Sequence, residues 1–148
     1  MYDSAEDKLK HKQNVIEFIQ RMCGDLDRRK ILHDNSKLDE PEKKIFDEYT
    51  PKLANSTYGS EEYKSYLEGM KVALKHHYAN NRHHPEHFEN GIKEMNLVDL
   101  IEMLADWKAA TLRHNDGDIM KSIEINQERF GYGDELKQIF INTVKDYF

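Results

Sequence analysis

The fourteen residues 75–88, "KHHYANNRHHPEHF", contain five of the eight histidines in the chain, as two adjacent pairs and the single His87. Histidine is the commonest protein ligand of metal ions. A metal site, a solvated polar loop and a purification tag would all contain such a run. A tag is disfavoured because the cluster is internal and interrupted by Tyr78, Arg82 and Glu86. A solvated loop is disfavoured because unpaired histidines rarely cluster in an ordered loop that contains proline.

A second stretch, "ILHDNSKL" at 31–38, places His33 next to Asp34, with Lys37 three residues further on. Adjacent side chains on a helix diverge by about 100°, so both contact one ion only at a helix end or a kink. The polar residues Asn35 and Ser36 are consistent with such an irregularity. Taken alone, the pair fits a helix-capping aspartate beside an exposed histidine equally well.

Other ionisable residues lie on apolar faces of predicted helices. His11 shares the face of the apolar residues that follow it, and Asp106 lies within an otherwise apolar helix. An ionised carboxylate on a buried face is costly unless it is paired or binds a metal. Asp99 and Glu102 share the face of Asp106 and compete with it. We favour Asp106 and interpret the other two as a solvated helix edge or as partners of a ligating histidine.

The apolar residues follow the helical period through most of the chain, and no stretch shows the alternation of a strand. We therefore predict an all-α domain of five to seven helices. Capping residues, glycines and prolines predict the helix boundaries. The predicted boundaries are Gly24 or shortly after it for the end of the first helix, Pro41 and Pro51 for the second, Ser60 for the start of a third that reaches His77, Asn96 with Asp99 for the next, and Gly131 between two final helices at about 118–130 and 134–147.

The composition limits the class of protein. A chain of 148 residues predicts one domain, and the single cysteine, Cys23, fits a reducing compartment. No apolar run approaches the roughly 20 residues of a membrane span, and the first residues do not form a signal peptide, so we expect a cytoplasmic protein. The net charge of −6 argues against a long nucleic acid as the partner.

The candidate residues occur in the order His11, His33-Asp34, His77, His83-His84 and Asp106. This order resembles that of the HD-domain superfamily, which comprises all-helical, metal-dependent phosphohydrolases. The segment "HDNSK" is similar to the HDxGK-type core of that family, with Ser36 in place of the usual glycine. The additional histidines resemble those of its binuclear branches. The resemblance spans about residues 8–114, and the last two predicted helices match no motif.

The resemblance implies a single compact HD-like helical bundle over residues 1–148 and a site for two divalent metal ions. Imidazole and carboxylate ligands together suit Fe, Mn, Co, Ni or Zn better than Ca or Mg. One ion would be bound by His11, His33, Asp34 and Asp106, and Asp34 would bridge to a second ion bound by His77, His83 and His84, with His84 the better candidate of that pair. Lys37, Arg82 and Arg113 are candidate contacts of a substrate phosphate.

The predicted function is hydrolysis of a small phosphate ester, most simply a nucleotide or cyclic nucleotide. A metal-bridged hydroxide would attack phosphorus, while Lys37 and the metals stabilise the developing charge. Two alternatives share the same ligands. One is a di-iron oxygenase on the same scaffold, and the other is a non-catalytic nucleotide-binding protein that retains the site.

Overall fold

The structure is a computed structural model that describes residues 4–56, 60–113 and 117–148. In these ranges the chain forms seven α-helices, three short 3-10 turns and no β-strand, so the prediction of an all-α fold of five to seven helices is confirmed. The helices are α1 (Ala5–Leu32), α2 (Glu42–Ala54), α3 (Glu61–Gly69), α4 (Lys71–Asn80), α5 (Leu97–Thr111), α6 (Ile119–Phe130) and α7 (Asp134–Tyr147). None of the helices in these ranges is long and apolar enough to cross a membrane.

The chain divides into two compact units, one ending at His33 and the other beginning at Asp34. The first unit consists of α1, which continues past Gly24 to Leu32 rather than ending near the glycine. Ion pairs one turn apart, from Asp25 to Arg28 and Arg29, support the helix beyond that point. The glycine alone therefore does not end α1.

The second unit contains α2 to α7. Its apolar core lies among α5, α6, α7 and the turn between the last two helices. The buried core residues are Met103, Leu104, Ile119, Ile123, Tyr132, Phe140 and Val144. The other helices, α2, α3 and α4, pack against one another, and α2 also contacts the 3-10 turn Asn35–Leu38.

Capping chemistry explains several helix ends in the second unit. Ser60 accepts a hydrogen bond from the backbone of Tyr63 at the start of α3, as predicted. Asn96 and Asp99 form a reciprocal capping box at the start of α5, which confirms the predicted start of that helix. Gly131 ends α6 in the left-handed conformation with φ 67°, the predicted helix cap.

Two predicted boundaries differ from the structure. Pro51 lies inside α2, which continues to Ala54. Pro51 lacks an N–H and its ring crowds the carbonyl one turn earlier, but its own carbonyl still accepts from the backbone of Asn55, so the helix runs on for its last turn. The helix predicted to run from Ser60 to His77 is divided at Met70 into α3 and α4. The preceding residue, Gly69, lies so close to the Tyr49 ring that an added Cβ atom would clash with it.

Candidate metal centre

Asp34 occupies an unusual backbone position in the turn that precedes α2. Its φ of 57° and ψ of 14° lie in the left-handed region, which aspartate and asparagine tolerate better than most residues. Its Oδ2 atom lies 2.5 Å from the Nζ atom of Lys37. The other oxygen, Oδ1, faces His77 on α4 and His83 in the loop that follows α4. The irregularity predicted near Asn35 is therefore present as this left-handed residue, and it directs the Asp34 carboxylate towards the two histidines.

Three histidine rings converge on the Asp34 carboxylate. The Nε2 atoms of His77 and His83 each lie 3.3 Å from Asp34 Oδ1. The Nε2 atom of His84 lies 2.9 Å from that of His77. A tetrahedral ion with bonds of about 2.0–2.1 Å separates its ligand atoms by about 3.3 Å. The spacing of these four side chains therefore fits the coordination of a single transition metal ion.

Glu42, at the start of α2, is fully buried beside these rings. Its Oε2 atom lies 2.8 Å from His77 Nδ1, and its Oε1 atom lies 2.7 Å from His76 Nδ1. Ser36 donates a hydrogen bond to Oε2, and Asn81 in turn donates to the Ser36 hydroxyl. A carboxylate at Nδ1 keeps the proton on that nitrogen, so the Nε2 lone pair of His77 points towards Asp34.

Glu102, on α5, has the same relationship to a second ring. Its Oε1 atom lies 3.1 Å from His83 Nδ1. The proton of His83 is therefore held on Nδ1, and its Nε2 lone pair also points towards Asp34. Metal-binding histidines are usually held by a carboxylate or carbonyl at their second nitrogen, as the rings of His77 and His83 are here. Glu102, interpreted from the sequence as a solvated helix edge or as the partner of a ligating histidine, contacts the ring of His83.

The charge states of the cluster favour a cation. Burial is the largest influence on His77 and lowers its pKa, despite the opposing effect of Glu42. Burial, reinforced by the neighbouring histidine rings, lowers the pKa of His84 to about 3. Burial raises the pKa of Glu42, but the hydrogen bonds it accepts together outweigh that effect, and its pKa lies below its ordinary value. The rings of His77 and His84 are therefore neutral and Glu42 is a carboxylate at neutral pH.

Asp106 lies next to this cluster. One of its carboxylate oxygens is within 4.8 Å of an Asp34 oxygen. Asp106 also lines a cavity of about 440 Å³, together with His84. Asp99, its competitor in the sequence analysis, is instead fully buried at the start of α5, where it closes the capping box and accepts two hydrogen bonds from Arg82.

Arg82 and Arg113, the two arginines predicted to contact phosphate, are both among the described residues. The guanidinium of Arg82 binds both oxygens of Asp99, at 3.2 and 3.0 Å, and lies over the ring of Phe88. Arg113 is exposed just beyond the end of α5, and it is not among the described residues that line the cavity. His87 is outside the cluster, because its Nδ1 atom donates to the carbonyl of Tyr78.

The remaining predicted ligands belong to the first unit. His11 is an exposed residue of α1. His33 is the cap residue that follows the last residue of α1 and immediately precedes Asp34 in the chain. The cluster described above is built from the second unit alone. The assignment of His11 and His33 as ligands stays a prediction.

Sequence reasoning did not single out Glu42, Ser36 as a hydrogen-bonding residue, or the α6 side of the cavity. Glu42 follows Pro41 in a segment rich in acidic residues, and nothing local distinguishes a buried glutamate from its exposed neighbours. The one signal was indirect. Three neutral imidazoles in a small site require partners for their second nitrogens, which predicts buried acceptors without locating them.

Comparison with known proteins gives a family but no activity. The sequence model of one family, described as a family of unknown function (DUF5662), matches residues 1–146. No curated protein and no solved structure matches the chain.

Proposed function

The chain belongs to the DUF5662 family, whose function is unknown, and we propose that it is a metal-dependent phosphohydrolase that acts on a small phosphate ester. One observation carries the proposal. Three imidazole nitrogens and the Asp34 carboxylate converge within ligand distance of one another, and carboxylates fix two of the rings from behind. The neutral imidazoles and surrounding carboxylates favour a bound cation.

The ligands proposed for the metal are Asp34, His77, His83 and His84, with Asp106 adjacent to them. Mixed imidazole and carboxylate donors suit Zn, Fe, Mn, Co or Ni. When bound, such an ion supplies Lewis acidity and lowers the pKa of a coordinated water to near neutrality. Because Asp106 lies beside Asp34, the proposal includes a second ion, for which Asp34 would be a shared ligand.

The protein groups have distinct tasks in this proposal. Glu42 and Glu102 orient His77 and His83 and keep their protons on Nδ1. The Lys37 ammonium, paired with Asp34, places a positive charge at the edge of the site. That charge would bind a substrate phosphate and stabilise the negative charge that develops on it. The cavity beside His84 and Asp106 would admit the substrate.

The test is metal analysis of protein purified without a tag, followed by assay with 4-nitrophenyl phosphate and bis(4-nitrophenyl) phosphate. We expect one or two equivalents of transition metal, and hydrolysis that stops when a chelator removes the metal and returns when it is restored. His77→Ala and His84→Ala should lose both properties. His87→Gln is the matched control, because this histidine lies in the same loop but outside the cluster.

Three results would contradict parts of the proposal. Hydrolysis that persists in fully metal-free protein would exclude metal catalysis. Metal binding without hydrolysis of any phosphate ester would favour the non-catalytic alternative. Oxygen consumption with a visible di-iron absorption band would favour the oxygenase alternative.

A further inference from the structure

The polar side of α6 faces the cavity next to the proposed metal centre. Ser122, Asn126 and Arg129 line this cavity of about 440 Å³ together with His84 and Asp106. Their spacing of four and three residues places them on one face of the helix. Each carries an O–H or N–H donor, and Asn126 donates to the Ser122 hydroxyl. One part of the cavity lining therefore belongs to the proposed metal centre, and another part, on α6, carries hydrogen-bond donors.

Arg129 is connected to the loop that carries the histidines. Its Nη2 atom lies 2.5 Å from Glu86 Oε1, and Arg129 lines the cavity together with Tyr78. The Tyr78 ring in turn packs against His84, with centroids 5.2 Å apart. The Arg129 side chain is 56% exposed. It therefore has donors available to a ligand in addition to the one that Glu86 occupies.

Apolar groups provide the rest of the lining. Trp107 and Phe130 contribute rings that are nearly parallel, at an interplanar angle of 7°. Pro85 and Ala110 lie in the same lining. The volume falls within the range of about 300–1,000 Å³ that is usual for small-molecule sites. These features fit a small organic group that has an apolar surface and one anionic substituent.

We infer that this cavity binds the organic part of the substrate and that Arg129 binds a second anionic group on it, exchanging its contact with Glu86 for that group. This inference rests on the function proposed for the adjoining metal centre. It also gives α6, which lies outside the sequence resemblance, a direct part in substrate recognition. A guanidinium suits this task because its planar N–H groups match the oxygens of a carboxylate or phosphate.

The test compares non-hydrolysable phosphonates with and without a second anion. Phosphonoacetate, 3-phosphonopropionate and 4-phosphonobenzoate are paired with methyl-, propyl- and phenylphosphonate. Binding to the Zn²⁺-loaded protein is followed by the fluorescence of Trp107, which is the single tryptophan and lines the cavity. Zn²⁺ is suitable because it has no redox chemistry of its own.

We expect the carboxylate to improve binding at least about fivefold in one or more pairs, and Arg129→Ala or Arg129→Gln to reduce that preference to below about twofold. Arg129→Lys should restore part of it. Glu86→Gln should tighten binding of the carboxylate compounds, because it removes the competing carboxylate. Lys121→Ala is the matched control, since Lys121 is an exposed cation of α6 that does not line the cavity.

The inference is overturned if the carboxylate compound binds no more tightly than its partner in every pair. It is also overturned if the preference is unchanged in both Arg129→Ala and Arg129→Gln. These outcomes are distinct from failure of the metal centre. If Zn²⁺ does not bind to the wild-type protein, the proposed function fails. The same pairs, measured without metal, still decide whether Arg129 binds the second anion.

Discussion

The Nε2 atoms of His77 and His84 lie 2.9 Å apart. Because Glu42 holds the proton of His77 on Nδ1, the His77 Nε2 atom presents a lone pair that accepts from the Nε2–H of His84. In the proposed metal site the same two nitrogens would bind the ion in place of this hydrogen bond.

Substitution of Asp34 by asparagine should separate metal binding from folding. Asparagine tolerates the left-handed backbone of this position but provides a neutral amide, so we expect the metal content to fall to background. The free energy of unfolding of the metal-free protein should fall by about 1 kcal/mol, because the pair with Lys37 is partly buried and the amide keeps only a neutral hydrogen bond there. Metal analysis and urea denaturation measure the two effects.

Asp34→Ala provides the comparison for the backbone. An alanine with positive φ carries a strain of about 1–2 kcal/mol, so this variant should be less stable than Asp34→Asn by about that amount. Equal stability of the two variants would show that the left-handed conformation is not retained.

Glu42→Gln should weaken metal binding although Glu42 is not a proposed ligand. A carboxylate accepts hydrogen bonds on both oxygens, whereas an amide accepts on one and donates on the other, so it cannot hold His76 and His77 together. We expect the Zn²⁺ affinity to fall about 10–100-fold, measured by competition with a chelator. Glu48→Gln, an exposed glutamate on the same helix, is the control. An affinity within twofold of the wild type would remove Glu42 from the metal site.

Arg82→Ala should lower the free energy of unfolding and have little effect on the rate of hydrolysis. It leaves the fully buried Asp99 without its guanidinium partner, and we expect a loss of about 2 kcal/mol in the free energy of unfolding. The metal content should not change. Arg28→Ala, which breaks an exposed pair, should cost less than about 0.5 kcal/mol. A raised KM for phosphate esters with unchanged stability would instead support the role of Arg82 predicted from the sequence.

Tyr132 should make the stability depend on alkaline pH. Burial raises its pKa to about 12, and its hydroxyl donates to the carbonyl of Ile123. Above about pH 10 the unfolded chain loses this proton while the folded protein keeps it, so the free energy of unfolding falls as the pH rises towards 12. The slope from this group approaches about 1.4 kcal/mol per pH unit.

Tyr132→Phe should therefore lose about 1 kcal/mol at neutral pH and show a shallower decline between pH 10 and 12 in urea denaturation. Tyr147→Phe is the control, because Tyr147 is 80% exposed. Identical slopes for the wild type and Tyr132→Phe would contradict this account.

Local chemistry made part of the fold predictable. The capping residues Ser60 and Asn96 and the terminal Gly131 act on their own helices, so their roles can be inferred from neighbouring residues. The helix break at Met70 was not predictable, because it accompanies a close approach of Gly69 to Tyr49, twenty residues away. Pro51 was misjudged since its effect depends on how near the helix end it lies.

The candidate site divides in the same way. The order of histidines and aspartates indicated which side chains to bring together, and the structure places both His83 and His84 beside Asp34 and His77. The buried acceptor Glu42 and the alternative pairing of Arg82 with Asp99 depend on burial and on long-range contacts. Spacing along the chain carries little information about either.

Position 34 must meet two separate requirements. One comes from its left-handed backbone, and the other comes from the proposed metal ligation. Folding alone admits glycine and asparagine there beside aspartate, since these residues carry the least penalty at positive φ. The proposed ligation would admit residues that offer an anionic oxygen, and glutamate would do so at the cost of a strained backbone. Aspartate alone satisfies both the backbone requirement and the ligation requirement. In a library of all substitutions at position 34, selection for folded protein should retain aspartate, asparagine and glycine. A second selection for metal content should then retain aspartate.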